Sequence, residues 1–127
     1  MNATRILAVA LLTAAVTVPA LPAAANEDDV IREGSCTGRA DWKVKASPED
    51  GRIEVEGEID SNRNGQTWRW RLVHNGSVSD RGTRTTRGAS GSFEVRRVVV
   101  NLRGTDKLVF RARNAASGET CRGVVNF

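Results

Sequence analysis

Arg81, Arg84 and Arg87 recur at every third position of RGTRTTRG, a segment without an acidic residue, and Arg96, Arg97 and Arg103 follow soon after. An arginine fork binds phosphate or carboxylate bidentately and stays charged at any physiological pH. A run of this kind suits an acidic polymer held by salt-sensitive contacts. No aromatic side chains interleave the run to stack on bases, so no specific nucleic-acid partner is expected. Composition offers a plainer source for the same residues. Residues 26–127 hold 15 arginines and 3 lysines, a bias that GC-rich coding alone would produce.

A second set lies in DSNRNGQ. Asp60, Asn62, Asn64 and Gly65 fit the opening half of a calcium loop, where alternate positions supply oxygens and a glycine permits the sharp turn. The second half fails, because Arg71 stands where the bidentate glutamate belongs. Metal binding by Asp60, Asn62 and Asn64 is therefore not expected, and neither is a cofactor. Trp68 and Trp70 share one strand face at a spacing of ~7 Å, two strand rises, which suits stacking against a sugar. The competing reading places both in the core, since each buries roughly 150–250 Å². An enzyme is hard to assemble from what remains. Ser–His–Asp chemistry would have to use the single histidine, His74, beside a turn. Glu54, Glu56 and Glu58 alternate along one outer strand face and do not flank a cleft.

These side chains have to be placed by strands, because period two dominates the chain. Within 67–76, Trp68, Trp70, Leu72 and His74 alternate with Thr67, Arg69, Arg71 and Val73, and Asn75-Gly76 then supplies a type I′ hairpin turn. Ahead of it, Ala40, Trp42, Val44 and Ala46 alternate with Asp41, Lys43 and Lys45. A Pro- and Gly-containing turn over 47–51 then leads to Ile53, Val55, Gly57 and Ile59 alternating with the three glutamates. Residues 77–86 read as an edge strand, polar on both faces beyond Asp80, with Val73 facing Val78 and Arg71 facing Asp80. Phe93 and Val95 begin a fifth strand. Val98, Val100 and Leu102 continue in the opposite phase, so a bulge is expected at Arg96-Arg97. Leu108, Phe110 and Ala112, then Cys121, Gly123, Val125 and Phe127, mark two more strands. Seven short strands and no amphipathic helix after residue 25 predict an all-β fold, a seven-stranded antiparallel β-sandwich.

Residues 1–25 carry one early positive charge, an apolar run over 6–18, two prolines and Ala23-Ala24-Ala25. This pattern reads as a secretory signal peptide cleaved after Ala25. Its apolar run is shorter than the ~20 residues of a membrane span, so no transmembrane segment is expected in the mature chain. Residues 26–34 read as a flexible acidic tail and 35–127 as a single domain. An exported domain with two cysteines joins them, here Cys36 to Cys121. Chain-entropy arithmetic assigns such a bridge about 4–5 kcal/mol. A secreted monomer is expected, with the arginines guarding the sheet edge.

The segment L-x-x-x-D-x-L-x-F-x-A over 102–112 resembles the approach of immunoglobulin domains to their sixth strand, where L-x-x-x-D-x-A-x-Y-x-C is usual. The resemblance implies an immunoglobulin-like sandwich. Asp106 would close the turn, Phe110 take the tyrosine-corner place and Ala112 the cysteine place. It also implies that Cys36–Cys121 ties a first and a last strand lying side by side. Phe110 has no hydroxyl and Ala112 no sulfur, so two of the family's usual bonds are missing. Across 26–127 the chain also resembles a family of small exported actinobacterial proteins, through its one disulfide, DSNRNGQTW, and RGTRTTRGASGSF running into FEVRR. That family has no assigned activity. The function expected from the residues is a secreted, non-catalytic binding module contacting anionic cell-envelope polymers through Arg81, Arg84, Arg87, Arg96 and Arg97. The alternatives are a structural or stress-related envelope protein without a ligand, and a carbohydrate-binding module using Trp68 and Trp70.

Overall fold

A computed structural model of the chain describes residues 27–127; the expected signal peptide and its cleavage point lie outside the described residues. Eight strands follow one another: β1 (Val30–Ser35), β2 (Asp41–Glu49), β3 (Arg52–Asp60), β4 (Thr67–His74), β5 (Ser77–Thr85), β6 (Ser92–Val100), β7 (Lys107–Asn114) and β8 (Thr120–Asn126). They form two antiparallel sheets, ordered β1-β2-β3-β6 and β5-β4-β7-β8. Among the described residues no helix is long and apolar enough to cross a membrane.

The inward halves of the alternating strands make the core. Trp68, Trp70, Leu72, Leu108, Phe110 and Val125 come from one sheet, and Val44, Ile53, Val55, Ile59, Phe93 and Val95 from the other. Two glycines set how closely the sheets approach. The Phe110 ring rests on Gly57, where an added Cβ would lie 2.5 Å from it, and a Cβ on Gly123 would lie 2.5 Å from Val44 and 2.6 Å from Trp42. Trp70 and Phe110 stack with centroids 6.2 Å apart. Trp68, the most deeply buried aromatic, lies 6.4 Å from Phe93.

The sequence expectations fail at four places, each for a local reason. Residues 30–34 are not tail but most of β1, paired with β2 from Val30↔Ala46 to Ser35↔Asp41, which makes eight strands. Just ahead of it, Asp29 pairs with Lys45 at 3.2 Å. Pro48 does not preset the turn. It lies within β2 beyond the end of the β1 pairing, where a missing N–H removes no ladder bond. The turn itself is Asp50-Gly51, with φ of 47° and 75°, the same two-residue form as Asn75-Gly76 at 47° and 85°. No bulge interrupts β6 against β3. The phase simply continues, leaving Val98 and Val100 exposed and Arg97 at an inward position of an edge strand. The irregularity falls instead between Leu72 and Val73, so Val73 faces Val78 as expected but Arg71 faces Arg81.

The disulfide joins Cys36 to Cys121 with Cα atoms 4.4 Å apart. It links the residue just past β1 to β8, so the first and last strands lie side by side as expected, and because they belong to different sheets the bridge ties the two layers together. The Thr37 N–H donates to the Thr120 carbonyl at 2.9 Å, the Thr120 N–H donates to Thr37 Oγ1 at 2.9 Å, and Glu119 accepts from the Gly38 and Ala40 N–H groups. Asp106 closes the β6–β7 turn. Its carboxylate accepts from the Leu102 N–H at 3.3 Å, and its backbone exchanges two bonds with Phe127.

Candidate functional site

On β4 and β7 every second residue is an outward arginine: Arg69 and Arg71, then Arg111 and Arg113. These strands are neighbours, and their register sets Arg69 opposite Arg113 and Arg71 opposite Arg111. The flanking strands extend the pattern. Arg81 on β5 lies opposite Arg71, and Arg122 on β8 lies opposite Arg111. The result is a row of four arginines, Arg81–Arg71–Arg111–Arg122, crossing the whole sheet at the ~4.8 Å interval of strands. Beside it runs a second row, Thr83–Arg69–Arg113–Thr120.

Between the rows lies the line Gly82–Trp70–Ala112–Cys121, whose members are also in register. Trp70, Ala112 and Cys121 send their side chains into the core, so along this line the outer surface is bare backbone. The consequence is a shallow groove of about 680 Å³ that runs across the strands, floored by the ladder and walled on both sides by arginine. All six arginines are exposed. None has a carboxylate partner within ion-pair distance among the described residues, and no acidic side chain projects from this face. Like charges placed directly opposite each other destabilise a sheet. The face therefore carries repulsion that a bound anion would relieve.

Of the arginines that stand out in sequence, only Arg81 belongs to this groove. Arg96 lies on the outer face of the other sheet, 2.6 Å from Glu56, with Glu54 and Glu94 at 3.7 and 3.9 Å. Arg97 closes the seam between the edge strands β5 and β6. Its Nε donates to Asp80 at 2.5 Å and its guanidinium sits 5.0 Å from the centroid of the Trp70 ring. The hydrogen bond from Arg97, helped by the Arg81 backbone N–H, holds the Asp80 carboxyl below its ordinary pKa. Arg84 is in register with Trp68 and so has the opposite orientation to Arg81. Arg87 follows β5 in an isolated bridge to Ser92, and Arg103 lies in the β6–β7 loop.

The other sequence candidates are positioned as follows. Trp68 and Trp70 are 0 % and 3 % exposed, so they offer no stacking platform. Asp60 accepts from the Asn62 N–H at 3.1 Å, while the loop is braced by bonds from Ser61 and Thr86 to the Arg63 carbonyl. Among the described residues no three His, Cys, Asp or Glu side chains converge on a metal position. His74 is buried, its Nε2 2.5 Å from Asp106 Oδ1 at the far end of β4 from the groove. The signal for the groove is present in the sequence as Arg-x-Arg on two separate strands. No local window contains it, because only strand pairing brings the two together. No protein-family model, curated protein or solved structure matches the chain.

Proposed function

We propose that the protein is an exported, non-catalytic binding module that holds an anionic polymer on the outer face of the β5-β4-β7-β8 sheet. The observation that carries this reading is the arginine groove: six exposed guanidinium groups in two cross-strand rows, with no carboxylate within ion-pair distance among the described residues. Opposite charges facing each other across strands stabilise a sheet and like charges destabilise it, and among the described residues this face carries no acid. The disulfide fits an oxidising compartment, where acidic polymers of the cell envelope are the anions at hand. The expected arginine-rich edge is thereby relocated from the β5–β6 border to a sheet face, with Arg81 common to both.

A polyanion such as heparin tests the reading by titration at increasing salt. With about four arginines engaged, the log–log slope should lie near −3, about a fifty-fold loss of affinity between roughly 50 and 200 mM salt. Replacing Arg71 and Arg111 by glutamine should flatten that slope by about one to two units. Unchanged affinity in that variant would place the anion site off this face, and no polyanion binding at low salt would leave an envelope protein without a ligand as the better reading.

A further inference from the structure

Resting on the anion-binding reading, we infer that the groove seats one unbranched phosphate chain, a polyphosphate or polyol phosphodiester, lying across the strands. The inference comes from the shape of the charge. The walls stand two residues apart along each strand, ~6.8 Å, and the floor between them is backbone, with its side chains turned into the core. A ligand in this seat meets guanidinium forks on both sides at once. Each interior phosphate of a linear chain carries two non-bridging oxygens that project to opposite sides of the chain axis. One can accept from Arg71 or Arg111 and the other from Arg69 or Arg113, each by charge-assisted bonds. Thr83 and Thr120 flank the second row at its two ends and add hydroxyl donors there.

Other anions match this seat less well. A carboxylate polymer holds both oxygens of each group on one pendant arm, so any single group meets only one wall. A base-bearing strand finds no aromatic side chain on this face to stack on. A lipid surface is flat and would meet the arginine tips while leaving the floor empty. Length matters too. The four-arginine row crosses three inter-strand gaps, about 14 Å, so a short oligophosphate engages part of the row and a longer chain engages all of it.

The test is a calorimetric titration of the protein with triphosphate, long-chain inorganic polyphosphate, poly(glycerol phosphate), polyaspartate and phosphatidylglycerol vesicles. It is repeated on Arg69→Gln/Arg113→Gln and Arg71→Gln/Arg111→Gln. The long phosphate chains should bind about tenfold or more tighter per charge than triphosphate, because each further contact is intramolecular. Each double variant should lose about tenfold or more for these chains, with circular dichroism and thermal unfolding showing that both remain folded. Phosphorus NMR should broaden interior phosphates ahead of chain ends. Binding of both phosphate chains supports the shared chemistry, and binding of only one also supports it and assigns the source. Polyaspartate binding as tightly as polyphosphate would overturn the phosphate assignment while leaving the anion-binding face intact. Loss in one double variant only would overturn the two-walled seat. Preference for vesicles would replace the chain by a lipid surface, and no response to any polyanion would defeat both readings.

Discussion

The two outer faces of the sandwich are built by the same rule, charged residues at every second strand position, and end in opposite electrostatic states. On the β1-β2-β3-β6 sheet Lys45 stands opposite Glu56, which stands opposite Arg96, and Lys43 stands opposite Glu58. Glu54, Glu56 and Glu58 are half-buried on this central strand, and the Arg96 guanidinium lies 3.7 Å from Glu54 and 2.6 Å from Glu56. On the β5-β4-β7-β8 sheet Arg71 stands between Arg81 and Arg111, and every groove arginine extends into solvent. Strand alternation explains why charges point outward on both sheets. It does not explain why one face mixes both signs, its Lys–Glu–Arg ladder running beside the acid pairs Glu58–Glu94 and Asp41–Asp60, while the other carries only arginine around its groove. The first face holds ion pairs of its own, and the second is the one on which the proposed anion would sit.

The largest expected effect concerns the link between the faces. Replacing Cys36 and Cys121 by serine should cost about 2–5 kcal/mol in denaturant unfolding. The loss should be uneven. β8, which carries Arg122 and Thr120, is an edge strand held to the other sheet through Cys121, so its amides should lose hydrogen-exchange protection before those of β2 and β3. Loss beginning in β3 would mean that the bridge supports the whole sandwich and not the groove edge.

A smaller effect tests the repulsion itself. Arg71→Thr with Arg111→Thr should stabilise the unliganded protein at low salt by about 0.2–1 kcal/mol for each opposed pair relieved. The gain should shrink as salt screens the charges. Lys45→Thr on the opposite face should destabilise by about the same amount, through loss of its ion pair with Asp29 and of its place opposite Glu56. If both changes destabilise at low salt, the two faces do not differ in the way their registers imply.

Much of the sandwich was legible because burial enforces period two. The Trp68–Trp70–Leu72 face, the Asn75-Gly76 turn and the Cys36–Cys121 pair can be read from residue type and spacing, and the Asp106 turn closure follows from the resemblance of 102–112 to immunoglobulin domains. β1 is hard to read because VIREGS offers only Val30 and Ile31 as apolar residues, and both are half-buried on an edge. Arg97 misleads because it occupies an inward position, where its stem follows the strand phase and its head reaches the Trp70 ring and Asp80. The groove is the clearest case of what sequence order hides. RGTRTTRG gathers arginines in sequence, yet strand geometry sends Arg81 and Arg84 to opposite sides of β5 and leaves Arg87 beyond it. The residues that do gather in space lie on four strands, and only the registers of β4 with β5 and β7, and of β7 with β8, bring them together.

The smallest effect separates the faces by pH. Burial raises the pKa of Glu58, with Glu94, Asp60 and Glu33 adding to the rise and Lys43 opposing it. A carboxyl whose folded pKa is raised weakens the fold while it is ionised, and that penalty fades as pH falls through the raised value. Glu58→Gln should therefore stabilise modestly at neutral pH and lose its advantage on acidification. Asp80 has the reverse sign. Its pKa is lowered, chiefly by the bond from Arg97, so its contribution is present above the ordinary carboxyl value and is lost as pH falls through the lowered one. Asp80→Asn should weaken the protein at neutral pH and become silent in strong acid. Thermal unfolding of the two variants from neutral pH to about pH 2 should thus give differences from the parent of opposite sign that both converge to zero. Curves of the same sign would show that Glu58 is held by Lys43 as an ordinary ion pair, and that the β1-β2-β3-β6 face is compensated along its full length.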